Sequence, residues 1–190
     1  MGTTNLDTLA LGETLTVTGA STLTGATTIT GALSANGGLT VDTVAASGIV
    51  DATAATLAVT AALHAGKIVT LNRAAGVTVT LPAATATGNV YTFVIGTAAT
   101  SNANIIETSA TSEHMAGSLR AVDDDVEGAT GFQWNAETSD DTITMNGTAT
   151  GGKAGDMIII RDYVATIFTV DGHLTQSGGS EVTPFSAAVS

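Results

Sequence analysis

Residues 15–41 read LTVTGA STLTGA TTITGA LSANGG LTV. Gly19, Gly25, Gly31 and Gly37 recur every six residues, and so do Val17, Leu23, Ile29, Ala35 and Val41. Six is a multiple of the two-residue β-period, so in extended chain these positions share one face. Thr16, Thr18, Thr22, Thr24, Thr28 and Thr30 form the opposite face. In an α-helix a step of six turns roughly 240° and scatters the apolar positions around the cylinder. Thr and Gly are also poor helix formers. The segment is therefore expected to be β-structured, with glycine where the chain bends or another backbone comes close.

The tract is short for a self-contained object. A hexapeptide solenoid takes about three hexads per coil and about three or more repeats to bury a core, so these hexads give only about one and a half coils. An arm of this length, roughly 90 Å if straight at about 3.3 Å per residue, cannot satisfy its own backbone hydrogen bonds. The expected partners are identical arms from sister subunits. That gives an intertwined homotrimer with Val17, Leu23, Ile29 and Val41 as the stem core. A flexible Gly/Thr/Ala linker is the competing reading. Regular apolar spacing opposes it, because a linker has no reason to hold a hydrophobic residue in register.

Composition narrows the function classes. The chain has 190 residues, enough for one ordinary domain plus an extension. It has no Cys, which removes disulfides, thiolate metal sites and Cys nucleophiles. Five basic residues against 17 acidic ones give a formal net charge of -12, which argues against nucleic acid and anionic membranes as partners. Charged residues are 12% and aromatics 4%, against 22 glycines, a balance typical of repetitive β-structure. No basic start followed by an apolar core marks a signal peptide, and no apolar run approaches the roughly 20 residues of a membrane span. An extracellular role is then expected to require release by lysis or another route.

Two regions are expected: 1–65, an extended β-repeat arm or stem with its connector, and 66–190, a β-sandwich-like domain. In the connector, Ile49, Leu57, Val59 and Leu63 keep the odd parity of the hexads. Asp51 to Gly66 also fits a short helix, but Thr53, Thr56, Val59 and Thr60 favour irregular strand over it. Lys67–Leu71 and Val77–Leu81, split by Asn72–Gly76, read as a hairpin stopped by Pro82. Gly88-Asn89 turns the chain into Val90–Ile95, and further strands are expected around Ile105, Met115–Ala121, Phe132–Trp134, Asp141–Met145, Met157–Arg161 and Ile167–Asp171. Asn146-Gly147 is a turn signal. Short strands at this spacing read as an all-β sandwich or a jelly-roll-like barrel. The tail from Gln176 is Gly/Ser-rich and then apolar at Val182, Pro184, Phe185 and Val189, an end expected to dock on its own domain or a neighbour.

The string SDDTITMNGTATGGKAGDMIIIRDYVATIFTVDGHL (139–174), with EVTPFSAAVS (181–190) and VTVTLPAATATGNVYTFVIGTAATSN (77–102), resembles structural proteins of tailed-bacteriophage virions. The family it looks like is that of head decoration, or capsid cement, proteins. The resemblance covers roughly residues 66–190. It implies a trimer on the outer capsid surface of the virion that clamps neighbouring major capsid protein subunits, with a mechanical activity and no cofactor. The hexads are similar to the interlaced stems of phage fibres as well. A fibre or receptor-binding protein that recognises a host surface glycan is therefore the alternative.

Catalytic constellations find little support in the residues. A glycan-cleaving protein needs two carboxylates about 5 to 10 Å apart in a cleft. Asp140, Asp141, Asp156, Asp162 and Asp171 are the candidates, with Asp140 and Asp141 read as a solvated turn and Asp156 as an ordinary turn residue. His64, His114 and His173 are isolated in sequence, with no HExxH pattern, and His173 is expected on a surface turn. Asp123 to Glu127 could hold Ca²⁺ through carboxylate oxygens, but it lacks the glycine and the terminal Glu of an EF-hand loop. No serine lies in a GxSxG elbow and no GxGxxG or P-loop is present. Phe93, Trp134 and Phe168 are expected to fill the core, while an exposed Tyr or Trp would mark receptor or carbohydrate contact. The expectation is a protein that is not an enzyme.

Overall fold

The computed structural model describes residues 48–125 and 131–189. The stem positions Val17, Leu23, Ile29 and Val41, and with them the expected arm and its trimer contacts, lie outside the described residues.

The described chain is all-β apart from a single-turn helix α1 (Ala61–His64). The strands are β1 (Ile49–Ala52), β2 (Thr56–Ala58), β3 (Ile68–Asn72), β4 (Thr78–Thr80), β5 (Val90–Thr97), β6 (Asn104–Glu107), β7 (His114–Asp123), β8 (Gly131–Asn135), β9 (Thr142–Met145), β10 (Met157–Val164), β11 (Ile167–Gln176) and β12 (Phe185–Ser186). They form two mixed sheets. One has seven strands in the order β1-β3-β5-β10-β11-β7-β8, the other five in the order β12-β9-β6-β4-β2.

The first six strands alternate between the sheets. β1, β3 and β5 pair in parallel in the larger sheet, and β2, β4 and β6 pair in parallel in the smaller one. The chain thus winds as a short parallel solenoid, each strand lying beside the one a coil earlier. Antiparallel strands then close the winding, β10 against β5 and β9 against β6. The hairpin expected across Asn72–Gly76 is therefore corrected: β3 and β4 belong to different sheets, and the intervening residues carry the chain from one to the other. Arg73 shapes that crossing by donating Nη1 to the carbonyls of Ala75 and Gly76 at 2.9 and 2.7 Å. Residues 49–64, read as connector, hold two short strands laddered onto β3 and β4 and the one helical turn.

One apolar row crosses each sheet. In the larger sheet Val50, Val69, Phe93, Ile158, Gly172, Leu119 and Trp134 lie side by side. In the smaller sheet the row is Leu57, Val79, Ile106, Ile143 and Phe185. Both rows belong to one hydrophobic cluster between the sheets. Each β-strand sends alternate residues to that cluster, as the burial of Tyr91, Phe93 and Ile95 in β5 shows. Burying each large side chain is worth about 1.5–3 kcal/mol, so Phe93, Phe168 and Leu71, all at most 1% exposed, are principal anchors. Trp134 departs from the expected core position; it is half-buried on outer strand β8 and packs against the cluster from its margin.

The long β7–β11 pair is parallel over ten residues and passes close to its neighbour at Gly117. There φ is +133° and a Cβ would sit 2.1 Å from the Val170 carbonyl oxygen, so only glycine fits.

Candidate functional site

The most site-like concavity lies where β8, the loop before β9 and the C-terminal tail meet. It encloses about 450 Å³ and is lined by Trp134, Asn135, Glu137, Asp140, Thr183 and Phe185. Trp134 is placed by its neighbours. Its ring stacks on Phe132 at 6.0 Å between centroids, two residues along the same strand face. Its Nε1 donates to Gln176 Oε1 at 2.9 Å. Gln176 is fully buried, and its Nε2 donates to the carbonyls of Ala149 and Val182 at 2.8 and 2.9 Å, so one amide ties the indole to the tail. Phe185 pairs beside Ile143 and forms the tail-side wall. Asp140 is buried and accepts a hydrogen bond from the Glu137 backbone N–H at 2.7 Å, which shapes the loop. The apolar tail docks on its own domain, through the pairing of β12 with β9.

The remaining carboxylate candidates are placed by structure of another kind. Asp141 is buried, and its Oδ1 accepts from Thr142 Oγ1 and from the N–H groups of Ala188 and Val189 at 2.8, 2.8 and 3.1 Å. Burial alone pushes its pKa up; the hydrogen bonds outweigh that and hold it below the usual carboxylate value. Asp162 repeats the design. It accepts from Ala86 N, Thr87 N and Thr87 Oγ1 at 2.8, 3.0 and 2.5 Å. Burial again pushes upward, and the Thr87 and Ala86 bonds win, leaving the pKa lowered. Asp156 accepts from Gly152 N, Lys153 N and Thr175 N at 2.8, 3.0 and 2.9 Å, and Glu113 from Ala84 N, Ser109 N and Ser109 Oγ. The expectation that Asp140 and Asp141 form a solvated turn is thus corrected: both are buried, as is Asp156 between its turn and β10, and all three hold loops by accepting from backbone N–H groups. Asp171, exposed, meets Arg120 at 3.4 Å.

The acidic loop brings the carboxylates of Asp123, Asp124 and Asp125 within 4.8 Å of one another. Each already has a partner: Asp123 Oδ1 accepts from Asp125 N, Asp124 pairs with Lys153 Nζ, and Asp125 Oδ2 accepts from Gly178 N. The histidines are scattered. His64 is buried against Thr60, His114 is half-buried at the start of β7, and His173 lies exposed in β11. Burial raises the Tyr91 pKa, the Asn89 bond opposes it, and the Asp162 charge adds to the rise. Tyr163 is exposed at 68%, while Tyr91 lies in the core.

Sequence reasoning missed the groove because its lining comes from three separated segments. The single tryptophan on a strand rich in polar residues was the only local signal. No family model, curated protein or solved structure matches this chain.

Proposed function

We propose that this chain is a virion structural protein: a homotrimeric decoration, or cement, protein that binds the outer capsid surface and stabilises the shell. The observation that carries the reading is the resemblance of residues 77–102, 139–174 and 181–190 to tailed-phage virion proteins. The use of buried acids supports it. Asp141, Asp156, Asp162 and Glu113 are committed to backbone N–H groups, an arrangement suited to holding loops rigid. In this reading the hexad tract, residues 15–41, forms the interlaced arm, Val17, Leu23, Ile29 and Val41 are its subunit contacts, and the two-sheet body, which includes β1 and β2, is a sandwich-like head. Three heads on one arm engage the major capsid protein together, so modest contacts multiply through effective concentration. The test is the place and copy number of the chain in purified particles. A near-stoichiometric ratio to the shell subunit, with density at three-fold positions, is expected; a handful of copies confined to the tail would refute it.

The Trp134 groove favours the second reading, a fibre or receptor-binding protein. An indole beside Asn135, Glu137 and Asp140 offers an apolar face with polar groups at its rim, the composition of a small polar-ligand site. A clear glycan-array hit that Trp134→Ala abolishes would promote that reading.

A further inference from the structure

The Trp134 groove holds negative charge that the chain itself leaves unmatched. Asp141, Asp156, Asp162 and Glu113 each accept three hydrogen bonds. Asp140, also buried at 8% exposure, accepts one, from the Glu137 N–H to its Oδ2. Its Oδ1 has no partner among the described residues and is not sealed from water, so it opens on the concavity that Asp140 lines. A buried charge so thinly partnered is costly. Glu137, exposed, adds a second carboxylate to the same lining.

No cation of the chain answers these two acids. All five basic residues lie among the described ones, and the ion pairs they make are Arg120–Asp171 and Lys153–Asp124. The indole sets the shape of what is missing. Its Nε1–H is spent on Gln176 Oε1, so it has no donor left for a ligand and offers its π-surface alone. The stack on Phe132 and the two bonds from Gln176 Nε2 hold the ring in place before anything binds, which lowers the ordering cost. A π-surface beside carboxylates suits a flat cation. A guanidinium stacks on the ring and forks its N–H donors to carboxylate oxygens, whereas an ammonium has no plane to stack. A neutral sugar ring can stack but brings no charge to offset the acids.

We infer that the Trp134 groove receives an arginine side chain of a partner protein, stacked on the indole, with Asp140 Oδ1 and the Glu137 carboxylate accepting its N–H groups. Charge complementarity argues for a basic protein surface as the source, because a net charge of -12 steers such a surface toward this chain. The groove also lies beside β8, the outermost strand of its sheet, where an approaching surface meets it. The inference stands apart from the decoration reading: it needs neither the hexad arm nor a capsid.

Trp134 is the single tryptophan, so its fluorescence reports on the groove directly. The full chain is titrated in 0.15 M salt (about an 8 Å Debye length) with a blocked Gly-Arg-Gly peptide and with its citrulline counterpart, which keeps the shape and loses the charge. The indole N–H resonance of nitrogen-labelled protein is followed alongside, so that binding silent in emission is still seen. The arginine peptide should give a saturable change and the citrulline peptide none. Glu137→Gln, at an exposed side chain, should weaken binding about tenfold, the worth of one hydrogen bond to a charged group. Asp51→Asn removes an equal charge from exposed β1, at the opposite edge of the same sheet, and should change it less than about twofold under this screening. No saturable change with the arginine peptide, equal binding of the citrulline peptide, or equal effects of the two substitutions would each overturn the inference. So would a neutral oligosaccharide that occupies the groove in preference to the arginine peptide.

Discussion

Replacing Asp162 by Asn removes a charge while keeping its shape. In the native chain this side chain, 3% exposed, receives three hydrogen bonds from the 82–89 loop, where Ala86 is held at φ 59°. A non-glycine residue in that conformation costs about 1–2 kcal/mol, so the loop needs an external tie. Each bond to a charged acceptor contributes about 1.5–3 kcal/mol. The amide keeps one acceptor oxygen but turns an N–H toward the Thr87 donors. A net loss of about 3 kcal/mol follows, or roughly 6–12 °C in Tm for a chain of this size. Urea and thermal unfolding at fixed protein concentration, read by the fluorescence of Trp134, the single tryptophan, measure it. The pH dependence is the sharper check. The folded-state pKa of Asp162 lies below its ordinary value of 3.8, so the fold favours the ionised form. Its contribution is complete above that value and drains away as pH falls through it toward the depressed one. The gap between native protein and variant should therefore be constant from pH 8 to about 5 and shrink below about 4. A loss under about 1 kcal/mol, or a gap unchanged at pH 3, would refute the assignment.

Further outcomes rest on the same geometry. Leu71→Ala, at a fully buried position in β3, should cost about 2–5 kcal/mol in urea unfolding. Gly117→Ala forces a Cβ against the Val170 carbonyl and should open the β7–β11 ladder, seen as faster amide exchange from Met115 to Leu119. Leu23→Asp with Ile29→Asp should release monomers or aggregated chains on native mass spectrometry, and an unchanged trimer mass would remove these positions from the subunit contact. Salt should not weaken the fold. Among the described residues only two ion pairs occur, Arg120–Asp171 and Lys153–Asp124, while screening relieves a net charge of -12. A urea midpoint that falls between low and 0.5 M salt (about a 4 Å Debye length) would contradict this.

Strand identity was legible because it is local. Val90–Ile95 lies within β5, Met157–Arg161 within β10, and Asn102–Glu107 contains β6. A short apolar run bounded by polar or turn residues marks each one. Pairing was not legible. Lys67–Leu71 and Val77–Leu81 are separated by a loop of hairpin length, and nothing in either run says that each faces a strand about twenty residues away. The parallel winding shows only when Val50, Val69 and Phe93 are seen in one row. The role of the buried acids was hidden for a related reason. Asp162 and Thr87 are 75 residues apart, and backbone N–H donors leave no trace in side-chain pattern.

The scarcity of cations explains why the acids are used this way. Five basic residues cannot neutralise 17 acidic ones, and a buried carboxylate without a partner would be prohibitively costly. The chain meets that cost with backbone donors, which every loop supplies regardless of composition. Loop after loop is thereby fixed to the strand frame: 82–89 by Asp162, 109–113 by Glu113, the tail by Asp141. The two sides of the larger sheet then differ in kind. The β8 side, with Gln133 and Asn135 outward, presents a polar, blunted edge beside the Trp134 groove. The β1 side is apolar, with Ile49 exposed and Val50 half-buried.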